Sequence, residues 1–187
     1  MGIEFELKFR ATPEAQEEMR NKLPGDERIY AMETTYYDTP SGALSAKYYT
    51  LRQRMENETS VCTLKTPAQG EGRNEFEVEC GSIEEAIPML CKLSGEDIPL
   101  PVIAVCGAKF TRIAKTITLP QCTVEIALDR GILMGGDKEV PLCEAEVELK
   151  DGAAEAARAY AAQLAVAFGL EPESKSKFRR AMDLCER

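Results

Sequence analysis

Residues 2–10, Gly-Ile-Glu-Phe-Glu-Leu-Lys-Phe-Arg, alternate apolar and charged side chains after the opening glycine. A strand points successive side chains to opposite faces. Ile3, Phe5, Leu7 and Phe9 therefore share one face, and Glu4, Glu6, Lys8 and Arg10 the other. The pattern recurs down the chain. Arg52 and Arg54 share a face, as do Thr63 and Lys65. Arg73, Glu75, Glu77 and Glu79 oppose Phe76 and Val78. Glu125 and Asp129 oppose Val124, Ile126 and Leu128, and Glu144, Glu146, Glu148 and Lys150 line one side of a late strand. Any fold of this chain must bury the apolar faces and place a dense, two-signed ionic face somewhere.

Two placements meet that demand. One is a solvated outer sheet face, as in a structural β-sandwich, with cross-strand ion pairs worth about 0–1 kcal/mol each. The other is a sheet closed on itself around the ionic face, which encloses a polar lumen. Like charges at alternate positions, as in Glu144, Glu146 and Glu148, repel one another and gain nothing on a structural surface. Their repetition favours the lumen.

The remaining elements fit an α+β chain. Thr12-Pro13 opens a helix running to about residue 23. Residues 28–38 are rich in Thr and Tyr and predict a strand, followed by the turn Pro40-Ser-Gly42. A hairpin is expected over 47–56 and 60–66, a flexible loop at 69–72 and a strand at 73–80. Ser82 with Glu85 forms a capping box for a helix over 83–93. A short helix is expected over 99–107. Strands follow at 109–118, 122–129, 131–134 and 140–149. Asp151 is expected to cap an Ala-rich helix ending at Gly169; it packs on the barrel wall and offers a homodimer contact. A last helix covers about 174–185. No linker or repeat interrupts residues 1–187, so a single domain is expected.

Composition narrows the chemistry. Histidine is absent, which removes His-based triads and His-ligated zinc. The seven cysteines form no C-x-x-C pair and sit mostly at apolar positions, as buried thiols of a cytoplasmic protein would. The net charge of −9 argues against a nucleic-acid partner. No run approaches the roughly 20 apolar residues of a membrane helix, and no signal peptide is expected ahead of the charged strand. Glu and Asp in this pattern offer hard oxygen ligands suited to magnesium or manganese. The interleaved Lys and Arg suit phosphate oxygens. A lumen carrying both suits a metal–polyphosphate complex.

These residues, in this order, resemble the CYTH family, also called triphosphate tunnel metalloenzymes. The resemblance rests on Glu4-x-Glu6-x-Lys8, Tyr36-Tyr37-Asp38-Thr39, Leu51-Arg52-Gln53-Arg54, Thr63-Leu64-Lys65, Arg73-x-Glu75-x-Glu77, Arg112, Glu125 through Gly131, Glu144-x-Glu146-x-Glu148 and Ser176-Lys177-Phe178-Arg179-Arg180. It spans about residues 2–180, with no stretch like the helical polyphosphate-associated domain of some relatives. It implies an eight-stranded antiparallel tunnel with helices outside and a small-molecule triphosphate as substrate. It also implies hydrolysis assisted by Mg2+ or Mn2+, with two ions per site. Inorganic tripolyphosphate is the expected substrate. A thiamine triphosphatase, an adenylate cyclase and a non-catalytic polyphosphate-binding module are the alternatives.

On this basis Lys8, Arg52, Arg54, Lys65, Arg112 and Lys177 are expected to clamp phosphate, with Arg73, Arg10, Arg179 and Arg180 next. Glu4, Glu6, Asp129, Glu144 and Glu146 are the first expected metal ligands, with Glu75, Glu77 and Glu148 next. Glu4, Glu6 and Lys8 are assigned to the chemistry itself. Tyr36, Tyr37 and Asp38 carry no assigned role, since paired tyrosines follow from strand propensity and Asp before Thr-Pro starts turns.

Overall fold

The computed structural model describes residues 2–185. Its core is one antiparallel sheet curled into a barrel. The elements are β1 (Gly2–Glu4), β2 (Glu6–Arg10), α1 (Pro13–Lys22), β3 (Arg28–Asp38), α2 (Ala43–Ala46), β4 (Thr50–Glu56), β5 (Thr59–Pro67) and β6 (Arg73–Glu79). Then come α3 (Ile83–Ser94), β7 (Ile103–Thr118), β8 (Cys122–Gly135), β9 (Lys138–Gly152), α4 (Ala154–Phe168), β10 (Glu171–Pro172) and α5 (Lys177–Cys185).

The strand order is β1-β6-β5-β4-β3-β7-β8-β9-β2-β10. β1 and β2 are one extended segment interrupted at Phe5. Glu4 pairs with Arg73 on β6, while Glu6 pairs with Glu148 on β9. The Phe5 carbonyl accepts from Leu149 N–H at 2.9 Å. A single N-terminal segment thus serves both ends of the sheet and brings them together. The ten strands differ from the expected eight because this segment counts twice and β10 adds two residues beside β2.

The alternation predicts the packing. Phe5, Phe9, Val124, Ile126, Leu128 and Val147 face outward into a core closed by α1 and α4. Leu51, Cys62, Leu64, Phe76 and Val78 face outward under α3, which supplies Ile83, Ala86, Ile87 and Leu90. Burying each large apolar side chain is worth about 1.5–3 kcal/mol. Ile3 departs from its strand's pattern and is exposed, because no helix covers that end of the segment. A third cluster, Met32, Phe110, Leu133, Leu142 and Ala181, lies on the inner side and seats α5 across one end of the barrel.

Four expectations are corrected. Residues 99–107 are not helical: Pro99 and Pro101 disfavour a helix, and Ile103–Gly107 extend β7 by pairing with β3. Residues 122–135 form one strand, not two. It continues past Gly131 because that residue has no side chain: a Cβ there would lie 2.1 Å from the Lys109 carbonyl oxygen. Asp151 belongs to β9, and α4 starts at Ala154 without a side-chain cap. The last helix starts at Lys177. The α1 cap is as expected, with Thr12 accepting from Ala15 N–H; at α3 Ser82 accepts from Glu85 N–H, but the Glu85 carboxylate faces Cys80, so only half of the capping box forms among the described residues.

Candidate active site

The ionic strand faces converge on a cavity of about 280 Å3 inside the barrel. β1 and β2 contribute Glu4, Glu6 and Lys8; β4 contributes Arg52 and Arg54; β5 contributes Lys65; β6 contributes Arg73, Glu75 and Glu77. β7 adds Arg112, β9 adds Glu146, Glu148 and Lys150, and the start of α5 adds Lys177. Strand parity thus brings together residues from positions 4 to 177. With Glu56 and Glu125, eight acids and eight bases line the cavity, so the wall is electrically balanced.

The charges are not paired evenly. At one end, Lys177 Nζ reaches Asp129 at 2.7 Å and Glu146 at 2.7 Å, and also contacts Glu144. Arg112 binds Asp129 through two nitrogens, at 2.8 and 2.7 Å, and Glu146 at 2.6 Å. Arg180 closes on Glu144. Asp129 and Glu144 are fully buried. Burial opposes the charge on each group here. Lys177 and Arg112 nonetheless hold the Glu146 carboxyl well below the usual range, and the carboxylates raise the Lys177 ammonium above its own. Burial pushes Glu144 upward.

The β4 arginines are poorly paired. Arg54 donates to Thr34 Oγ1 at 2.8 Å and lies over the Phe110 ring at 5.5 Å, and among the described residues it has no carboxylate hydrogen-bond partner. Burial, with Arg52 and Arg112 nearby, lowers it to about 10. Arg52 reaches Glu75 and Glu77 only at 3.5 and 3.7 Å, and its buried Nε has no hydrogen-bond partner. Elsewhere Lys65 holds Glu4 at 2.6 Å and Glu75 at 3.1 Å, and Lys8 holds Glu6 at 3.0 Å. Arg73 is fixed by carbonyls, at 2.6 Å from Tyr48 and 3.1 Å from Lys65.

Several expected site residues lie elsewhere. Asp129 and Glu144 sit behind the cavity wall and face Lys177, away from Glu4 and Glu6. Together with Glu146 they offer oxygens within 4.8 Å of one another, but the space between them is filled by the lysine ammonium. Arg179 points outward to Asp183 at 3.0 Å, whereas Arg180 reaches the buried cluster. Arg10 turns outside to Glu171 at 3.0 Å, because the strand ends there. Tyr36 lines the cavity and packs on Phe178 with ring centroids 5.2 Å apart. Asp38 is structural: its carboxylate accepts from the backbone N–H groups of Thr39, Leu44 and Ser45 at 2.7, 2.9 and 3.0 Å. Lys150, Glu56, Thr50 and Ser176 complete the lining; the first two share strand parity with assigned residues.

The donor set fits a hard divalent cation. Glu6 uses Oε1 for Lys8, Glu75 uses Oε1 for Lys65 and Arg52, and Glu148 uses Oε1 for Lys150. Their second oxygens remain as donors of the type magnesium and manganese take. Since the wall is balanced, a polyanion must either break existing pairs or enter with its own cations. No helix among the described residues is long and apolar enough to cross a membrane.

A model of the CYTH domain family matches residues 2–182. The chain is 28% identical over 162 residues to an inorganic triphosphatase of Haemophilus influenzae; the match takes in 80% of this chain and 46% of that protein, about half its length. Its fold is similar to a Hippeastrum protein described as an adenylyl cyclase with a dominant triphosphatase activity, at a TM-score of 0.71 and 19% identity, covering 98% of this chain and 96% of the other. It is also similar to the PH1819 protein of Pyrococcus horikoshii, at a TM-score of 0.67 and 23% identity, covering 98% and 99%.

Proposed function

The chain belongs to the CYTH domain family, and from that premise we propose that it hydrolyses a triphosphate, inorganic tripolyphosphate foremost, inside its ionic lumen. The observation that carries this reading is the pair Arg52 and Arg54. Arg54 donates to a hydroxyl rather than a carboxylate, and Arg52, though near Glu75 and Glu77, keeps a buried Nε without a hydrogen-bond partner among the described residues. A buried cation short of a partner is costly unless a ligand supplies one. Phosphate oxygens do so, and arginine's planar fork donates to them in pairs.

Arg52 and Arg54 would bind one stretch of the phosphate chain, and Lys8, Lys65 and Arg73 would hold the remainder near Glu4 and Glu6. Arg112 and Lys177 would stabilise charge at the closed end without leaving their carboxylates. Glu4, Glu6, Glu75 and Glu148 would hold Mg2+ or Mn2+. Such an ion, when bound, neutralises phosphate oxygens and lowers the pKa of a water. With no histidine in the chain, a carboxylate would take the proton of the attacking water. Glu4 or Glu6 would orient that water.

The inorganic substrate is favoured over a nucleotide or thiamine ester by the lining. Its aromatic residues are Tyr30, Tyr36 and Phe178, and the last two pack against each other with their planes tilted by 44°. Phosphate release from tripolyphosphate, ATP and thiamine triphosphate, with and without magnesium or manganese, tests the reading. Metal-dependent release from tripolyphosphate that Glu4→Ala abolishes is the expected result. Release from none of the three, with tripolyphosphate still bound, would leave a polyphosphate-binding module. Cyclic AMP formed from ATP would identify a cyclase.

A further inference from the structure

α1 lies on the outer side of the sheet, and its residues Ala15 and Met19 join the outer core. Gln16 is buried beside them at 3% exposure, where an apolar residue would be ordinary. Its Nε2 donates to two main-chain carbonyls, Asp129 at 2.9 Å and Glu144 at 2.8 Å. Its Oε1 accepts from Arg130 Nε at 2.9 Å. Asp129 and Glu144 are register partners on β8 and β9. Their side chains project to the opposite side and grip Lys177.

We infer that Gln16 is a positioning residue for the candidate site, a conclusion that rests on the phosphate-clamp reading of Lys177 and Arg112. One amide nitrogen ties together the two backbone positions whose carboxylates locate Lys177, and Asp129 also locates Arg112. With both bonds made, the separation of Asp129 and Glu144 is fixed from the helix side. The cations in front of them are held to the tolerance that phosphate recognition needs, within about 0.5 Å. A glutamine suits this task because it places two donors and one acceptor at the end of a side chain long enough to reach both strands. Gln16 itself touches no substrate; it acts through Asp129 and Glu144.

The test compares Gln16→Met with Arg130→Met. Each removes a link between α1 and β8, but only the first releases the two carbonyls. Tripolyphosphate binding is measured by calorimetry in EDTA, so that the protein's own cations are read without turnover, and magnesium-dependent phosphate release is measured separately. Gln16→Met is expected to weaken tripolyphosphate binding and raise KM about tenfold, with kcat changed much less, given the sensitivity of such sites to small displacements. Arg130→Met is expected to lower the melting temperature comparably while leaving binding as in wild type. Equal affinities for the two variants would overturn the inference and make Gln16 a structural residue only. Should Gln16→Met not fold, Gln16→Glu, which keeps the size and the bond to Arg130, replaces it. Wild-type binding without phosphate release would sink the hydrolase reading and leave the positioning role standing. A wild type that shows neither binding in EDTA nor magnesium-dependent release would sink both.

Discussion

Two neighbouring sets of charges in the lumen use the same residue types to opposite effect. Beside α5, three carboxylates and three cations are locked together, with Lys177 at the centre. On β4, Arg54 shares the Phe110 ring with Arg112 and Lys177 but hydrogen-bonds to a hydroxyl rather than a carboxylate. A fully paired buried cluster fixes geometry, since removing one member strands the others. An underpaired cation does the reverse: it keeps binding capacity in reserve, at some cost to the empty protein. One cavity thus holds both fully paired cations and an arginine without a carboxylate hydrogen-bond partner among the described residues.

The largest expected effect breaks the paired set. Lys177→Met leaves three buried carboxylates without their shared cation and should cost about 3–5 kcal/mol of unfolding free energy, read by urea titration. A loss within about 0.5 kcal/mol would mean that the cluster is slack. The next separates the two sets. Arg54→Met should weaken tripolyphosphate binding about 100-fold, as expected for losing charge-assisted hydrogen bonds, while the melting temperature holds or rises. A fall in melting temperature with affinity intact would erase the contrast.

Acid sharpens the comparison. Glu146 is held well below the usual range, so its contribution is present above the unfolded carboxylate pKa of about 4.3 and is lost as pH falls through the folded value. Glu144, raised by burial, works the other way but is one group against Glu146 and Asp129. Lys177, raised in the fold, keeps its contribution throughout this range and loses it only in strong alkali. Unfolding free energy should therefore decline below about pH 4 in wild type and more gently in Glu146→Gln; parallel profiles would show that the carboxylate is not held by its cations. The smallest effect is a control outside the cavity. Arg158→Ala removes an exposed pair with Glu71 at 2.6 Å and should change stability by about 0–1 kcal/mol and phosphate release not at all.

Much of this was legible in the chain. Alternation assigned Glu4, Glu6, Arg52, Arg54, Lys65 and Glu146 to one enclosed face, because side-chain direction in a strand is fixed by the backbone. What alternation cannot show is which charges neutralise each other. Asp129 and Glu144 share parity with cavity residues, yet their cations arrive from α5, a helix whose placement depends on packing against Met32, Phe110 and Leu142. Arg179 and Arg180 are adjacent in sequence, and only the rotation of that helix decides which one enters. Gln16 gave no signal, since one polar residue beside Ala15 and Met19 looks like the rim of an amphipathic helix. The strand at 103–107 was hidden because its partner, β3, lies some seventy residues earlier.

The N-terminal segment has a consequence in time as well as in space. Glu4 docks beside residue 73 and Glu6 beside residue 148. The second pairing closes a very long loop, a slow event that local contacts cannot hasten. During synthesis, Glu4 can dock once β6 has been made, whereas Glu6 must wait for β9. A chain released before that strand would lack Glu146 and Glu148 and leave Glu6 without its partner strand, so the two halves of the ionic wall can meet only late.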